Sequence, residues 1–218
     1  MNSTYREIWN ALSDTEARAW AHISGYSDED KLRESTDITI ELLRQTVGVR
    51  AEDEFLEIGC GAGRVGKQLA PLVRHWTGCD VAPNMLGHAA RRLEGISNVT
   101  LTAISGYDLA PVADASVDVV YCTVVFMHLE EWDRFAYVRE AYRVLRPGGR
   151  IFCDNVNLDS EDGWKVFEAG AAIPPAQRPG HISRCSTPAE IGCYLRRAGF
   201  RDVKVITPAF WVIGHGVK

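Results

Sequence analysis

No stretch of the 218-residue chain stays apolar for the roughly 20 residues that a membrane-spanning helix needs, which excludes a helical membrane protein. Clustered positive charge is missing too. The net charge is −5, and the pairs Arg91–Arg92 and Arg196–Arg197 stand isolated. Nucleic-acid binding needs a basic footprint, so no nucleic-acid partner is expected. Six cysteines are present, but none forms a C-x-x-C pair and no histidine lies at zinc-ligand spacing beside two of them. The chain therefore predicts no metal site, and its cysteines read as small buried hydrophobes of a reducing compartment. The opening residues, MNSTYREIWN, lack the basic-then-apolar order of a secretion signal. A cytoplasmic location is the expectation. Internal repeats and low-complexity tracts are absent as well.

What remains is 46% hydrophobic and 24% charged, the balance of a soluble globular protein with one sizeable core. Residues 1–49 read as helical, with apolar spacing of three to four in YREIWNALS and TDITIELLRQTVGV, the second ending at a C-capping Gly48. Beyond them strands and helices alternate. EFLEIG precedes the helix RVGKQLAPLV, and HWTGCDV precedes PNMLGHAARRL, with Pro83 in its first turn. NVTLTAI leads into an irregular segment. VDVVYCTVVF, the most apolar strand, precedes EWDRFAYVREAYRVL, and GRIFCDNV follows the breaker RPGG. This rhythm predicts βαβ units and a parallel sheet covered on both faces. Residues 156–187, rich in Pro and Gly, break it and read as a lid insertion. The helix PAEIGCYLRRAG and two strands, RDVKVIT and AFWVIGHGV, close the chain; the two strands are near enough to pair antiparallel.

The loop FLEIGCGAGRVGKQLA carries three overlapping nucleotide signatures. A P-loop fails, because Gln68 stands where a magnesium-binding hydroxyl belongs. A dinucleotide loop running through Gly61, Gly63 and Gly66 has Asp80 at the right distance for a ribose. However, Glu57 then sets a carboxylate beside a pyrophosphate, which wants the positive end of a helix. The pattern from Glu57 through Gly59, Gly61 and Gly63 uses that carboxylate instead. It suits a ligand with an ammonium group and a nucleoside but no pyrophosphate, of which S-adenosylmethionine is one. The glycines admit close backbone approach, and Asp80 offers paired acceptors to ribose hydroxyls.

FLEIGCGAGRVGKQLA, GCDVAPNML, VDVVYCTVVFMHL and EAYRVLRPGGRIFCDN together resemble the successive motifs of class I S-adenosylmethionine-dependent methyltransferases, small-molecule branch, over roughly residues 50–217. The resemblance implies a Rossmann-like three-layer αβα sandwich whose seven-stranded, mostly parallel sheet has its last strand antiparallel. It implies a methyltransferase domain over 50–218 and cofactor contacts from Glu57, Gly59, Cys60, Gly61, Gly63, Asp80, Val81 and Met85. Gly106, Tyr107 and Asp108 fall where relatives contact adenine, although many relatives have Gly-Asp at the start of that loop. Cys122 is expected to line the methionine portion through its backbone.

Methyl transfer needs alignment, exclusion of water and in some cases a general base. His128, just past the fourth strand, is the candidate base; its plainer role is structural. Asp154, Asn155, His181 and Arg184 are candidate acceptor contacts, with capping or solvated-loop roles as the plainer alternatives. Trp164 and Phe167 read as an aromatic wall or as helix core. Tyr5, Trp9, Trp20 and Tyr26 make the N-terminal segment an expected cover over the site. The stretch CTVV lacks the Pro-Pro-aromatic motif of nucleobase N-methylation. The expected reaction is methylation of a small molecule at O or N. A cofactor-binding protein without turnover and an NAD(P)-dependent oxidoreductase are the alternatives.

Overall fold

The computed structural model describes residues 4–24 and 29–218; Tyr26 lies outside them. Three helices come first: α1 (Tyr5–Leu12), α2 (Glu16–Ser24) and α3 (Glu29–Thr46). α1 opens on a capping box in which the Thr4 hydroxyl accepts from Glu7 N and the Glu7 carboxylate accepts from Thr4 N. Gly48 ends α3 with a left-handed φ of 75°.

The alternating part follows as β1 (Glu54–Ile58), α4 (Arg64–Leu69), β2 (His75–Asp80), α5 (Pro83–Arg92), β3 (Val99–Ala103), β4 (Val117–Cys122), α6 (Glu131–Val144) and β5 (Leu145–Val156). Next come α7 (Glu161–Ala172), α8 (Pro188–Ala198), β6 (Arg201–Ile206) and β7 (Trp211–Val217). The sheet has seven strands in the order β3-β2-β1-β4-β5-β7-β6. β7 runs antiparallel between β5 and β6, and the others are parallel. This is the expected three-layer αβα architecture. Strand alternation sends Leu56, Ile58, Val120 and Cys122 into a core shared with α6 and α8. Phe55, Val119 and Tyr121 enter the opposite core, shared with α3, α4 and α5.

Four elements depart from the sequence expectation. The helix after β1 stops at Leu69 and continues as a 3-10 turn, Ala70–Leu72, because Pro71 cannot donate to an α-helical ladder. β4 ends at Cys122, although the apolar run continues to Phe126; Val124 takes a left-handed φ of 59° and turns the chain out of the sheet. The breaker RPGG lies within β5, as an irregularity opposite Val117–Val119, with Gly148 at φ 80°. The segment read as a lid insertion over 156–187 begins inside β5 and contains the 12-residue α7. On α7, Trp164 and Phe167 stack with ring centroids 5.2 Å apart. Both remain about half exposed, so they are not helix core.

Candidate active site

β1 sits where the strand order reverses, with β2 on one side and β4 on the other. Crevices at such switch points, beyond the carboxyl ends of the strands, hold ligands in open α/β sheets. Here the crevice is a cavity of about 810 Å³, open mouth included. Its floor is Glu57, Ile58, Gly59, Cys60 and Gly61 from β1 and its loop, with Asp80, Val81 and Met85 from β2 and α5. Gly106, Ile104 and Thr123–Val125 form one wall; Tyr5, Trp9, His22 and His128 form the rim.

The glycine loop is shaped by backbone conformations that glycine adopts without strain. Gly59, Gly61 and Gly63 have φ of 72°, 53° and 76°. A Cβ on Gly59 would stand 2.4 Å from Val125 Cγ2. Gly63 lies outside the cavity and starts α4 against Leu93 and Ala89. Gly66, the last glycine of the dinucleotide-like pattern, faces away from the cavity altogether. A Cβ there would lie 2.5 Å from the Trp76 ring, so this glycine seats α4 on the sheet.

Two buried carboxylates face the cavity. Asp80 accepts from Gly61 N at 2.8 Å on Oδ2 and from Ala82 N at 2.9 Å on Oδ1, which pins the loop to β2. Burial raises its pKa to about 6, against the pull of those N–H donors. Each oxygen keeps a second acceptor site for a ribose hydroxyl. Glu57 stands in register with Tyr121 of β4. Tyr121 Oη donates to Glu57 Oε2 at 2.5 Å and accepts from Trp76 Nε1 at 2.8 Å. Burial raises Glu57 to about 7, and the Tyr121 hydrogen bond and the Arg64 charge act against that rise. This Trp–Tyr–Glu chain was not foreseen from sequence. Its signal was present in the period-2 pattern, which puts Glu57 and Tyr121 on one sheet face, but the strand pairing needed to join them was not.

His128 lies in the rim. Its Nδ1 bonds the carbonyl of His181 at 2.9 Å, which makes Nδ1 the donor and leaves Nε2 as a lone pair. Burial lowers its pKa to about 4, so the ring is neutral at pH 7. Trp9 packs edge-on at 4.8 Å, and the His22 and His181 rings meet at 5.7 Å. Trp9 belongs to the expected N-terminal cover, whereas His22 carries no sequence signal. His181 thus serves the cavity through its carbonyl and as a neighbour of His22.

The other candidates fall elsewhere. Asp154 is buried and accepts from Thr123 Oγ1 at 2.6 Å and Val124 N at 2.7 Å, so it anchors the turn after β4. Asn155 is buried between Ser186 Oγ and Val156 N. Arg184 pairs with Glu130 at 2.7 Å. Cys122 is packed in the core. Asp108 caps its own turn through Ala110 N. Tyr107 meets the Tyr5 ring at 5.4 Å. Tyr107 and Arg184 border an outer groove that Tyr5 also lines.

The residues present fit the amino-acid and nucleoside ends of S-adenosylmethionine. A buried carboxylate stands beside a Cβ-free loop, and a second one is held at the end of β2. Comparison with known proteins agrees. A methyltransferase domain family matches residues 56–153. The chain is 26% identical over 183 residues to a ubiquinone biosynthesis O-methyltransferase of Pseudomonas savastanoi pv. phaseolicola, which covers 83% of this chain and 78% of that one. Its fold is similar to magnesium protoporphyrin IX methyltransferase of Synechocystis PCC 6803, solved with S-adenosylhomocysteine. The TM-score is 0.72 at 17% identity, over 98% of this chain and 97% of that one. It is also similar to Haemonchus contortus phosphoethanolamine N-methyltransferase 2, solved with S-adenosylmethionine. There the TM-score is 0.75 at 16% identity, over 100% of this chain and 60% of that one. Residues 56–153 form a methyltransferase domain, and the fold is that of class I S-adenosylmethionine-dependent methyltransferases. It is an enzyme of that class and its cofactor is S-adenosylmethionine, which retires the oxidoreductase reading.

Proposed function

We propose that this enzyme methylates a small molecule at O or N, and that the site favours a hydroxyl acceptor. The observation that carries this is His128: a neutral imidazole with Nδ1 committed to a backbone carbonyl, in the wall of the same cavity as Glu57 and Asp80. When bound, the cofactor supplies an electrophilic methyl group on a sulfonium. We infer that Asp80 holds its ribose, that Glu57 faces its ammonium, and that Gly59 and Gly61 let its backbone-facing side approach. His128 Nε2 then takes the proton of an acceptor hydroxyl, the task a phenol or alcohol needs and a neutral amine needs less. Trp9, Tyr5 and His22 exclude water at the rim. The N-terminal helices act as a cover and residues 156–187 as a lid, with the outer groove beside Tyr5 as the acceptor's entrance. The setting is cytoplasmic and the acceptor is not a nucleic acid. Among the described residues, no helix is long and apolar enough to cross a membrane. The O-methyltransferase names of curated relatives, including one acting on malonyl-[acyl-carrier protein], support oxygen as the acceptor atom.

The test is His128→Ala assayed against a panel of small phenols, alcohols and amines, with S-adenosylhomocysteine release as readout. On a hydroxyl acceptor kcat falls about 10²–10⁴-fold. On an amine it changes far less. Full activity on a hydroxyl acceptor ends the general-base role.

A further inference from the structure

Two arginines with buried side chains have carboxylate partners. Arg134 pairs with Glu190 at 3.0 Å and also donates to the carbonyls of Phe126 and Leu129. Arg150 pairs with Asp53 at 2.6 Å. Arg64 is different. It is the first residue of α4, is 6% exposed and lines the cofactor cavity. Nη1 reaches only two neutral hydroxyls, Ser35 Oγ at 3.3 Å and Thr36 Oγ1 at 3.2 Å, both from α3. Nε is buried and has no hydrogen-bond partner, and among the described residues Arg64 forms no ion pair. Glu57 and Asp154 attract it through space without touching it. A guanidinium has five donors in a rigid fork and stays charged in proteins. Leaving one buried beside an open cavity without a counter-charge in hydrogen-bond contact is costly, and an anion in that cavity reduces the cost.

The amino-acid end of S-adenosylmethionine carries one ammonium and one carboxylate. Glu57 is suited to the first and repels the second. We propose that Arg64 receives the carboxylate, so that Arg64 and Glu57 form a two-charge clamp on the amino-acid end of the cofactor. Ser35 and Thr36 orient the fork from α3, and this gives α3 a part in the cofactor site. The planar fork matches a carboxylate in a way that a lysine does not. The inference rests on the cofactor and is independent of the acceptor and of His128.

The experiment is calorimetric and needs no turnover. The probes are S-adenosylhomocysteine and S-adenosyl-3-thiopropylamine, the same molecule with the carboxylate replaced by hydrogen. Wild-type protein, Arg64→Met and Arg64→Lys are titrated with both, and circular dichroism checks folding. Arg64→Met is expected to weaken S-adenosylhomocysteine by about 30-fold, the scale of a lost charged hydrogen bond, and to leave the carboxylate-free ligand within about threefold. Arg64→Lys keeps the charge but not the fork, so it weakens S-adenosylhomocysteine by about fivefold and leaves the other ligand unchanged. Where Arg64→Met does not fold, the lysine variant decides by the same criterion. Equal losses for both ligands make Arg64 a structural tie between α3 and α4 and overturn the clamp. No loss for either ligand overturns it too. A wild-type protein that binds neither ligand refutes the cofactor itself, a different result from failure of the clamp.

Discussion

The floor of the cavity and its rim are built in different ways. The floor comes from one contiguous stretch, residues 57–85, and its shape is set by backbone: three left-handed glycines and a carboxylate tied to two N–H groups. The rim comes from distant segments joined by side chains. Tyr5 Oη donates to Asp133 Oδ2 at 2.7 Å and accepts from Glu130 N at 3.0 Å. Asn84 donates two hydrogen bonds to Asn10, from N to Oδ1 and from Nδ2 to the carbonyl, and His88 Nε2 bonds the carbonyl of Ser13. These ties hold the start of α1 to the N-terminus of α6 and its C-terminal end to α5. A backbone-built floor suits a ligand common to the whole class. A side-chain-built rim suits an acceptor, because substitutions there change shape without refolding the sheet.

The sharpest way to break this contrast is Gly59→Ala. The new Cβ meets Val125 at 2.4 Å in a left-handed conformation, which costs about 2–4 kcal/mol in strain and overpacking. Melting should fall by several degrees and S-adenosylhomocysteine binding should vanish from calorimetry. Normal binding by this variant would mean that the floor is not specified by its backbone. Tyr5→Phe is the matching probe of the rim and a smaller one. It removes two hydrogen bonds that are half open to solvent, about 1 kcal/mol together. We expect an increased KM for the acceptor and an unchanged affinity for S-adenosylhomocysteine. A cofactor affinity that falls as far as the acceptor's would erase the division between floor and rim.

The same contrast explains what could be read from sequence. The βαβ alternation and the closing hairpin follow from local signals, and the antiparallel last strand of a seven-stranded sheet from the family resemblance; the strand order comes from the structure. The roles open to Gly59, Asp80 and Met85 also follow from local signals. The failures lie at long range. Asp154 follows a strand on the ligand edge and reads as a substrate contact, yet the left-handed Val124 needs an anchor and takes both of its oxygens. Arg184 reads as a free cation in a lid, but Glu130, 54 positions away, claims it. Arg64 carries no signal of its surroundings in its own segment; α3, 28 positions earlier, supplies a hydroxyl that accommodates it. Gly66 shows the converse, since its role is fixed by the Trp76 ring on the neighbouring strand.

The floor's own weak point is the charge state of Glu57. Tyr121→Phe removes the donor that favours the carboxylate, so the Glu57 midpoint should move above about 7. Affinity for S-adenosylhomocysteine, measured between pH 6 and 8, should rise with pH in the wild type as Glu57 ionises to meet an ammonium. In the variant the same rise should appear at higher pH. A superimposable profile would reduce Tyr121 to packing.

Glu57→Gln tests the same point in the empty protein and has the smallest expected effect. The native pKa of Glu57, about 7, lies above its ordinary value of 4.5. Folding therefore favours the protonated form: the contribution of Glu57 is fully present below about pH 4.5 and is lost as pH rises through about 7. Glutamine has no charge to bury and keeps the acceptor for Tyr121. The melting temperature of Glu57→Gln minus that of the wild type should therefore grow between pH 5 and pH 8, by about 2–4 °C for each kcal/mol of linkage. Asp80 and Asp154 also titrate from raised values near 6, but both proteins share them and they cancel in the difference. Arg64, Tyr121, Trp76, Cys60 and Asp80 face Glu57 in both proteins. A difference that stays flat with pH would show that Arg64 keeps Glu57 ionised throughout. The two groups would then already be paired before any ligand arrives, and the floor would owe its charge balance to a side chain, as the rim does.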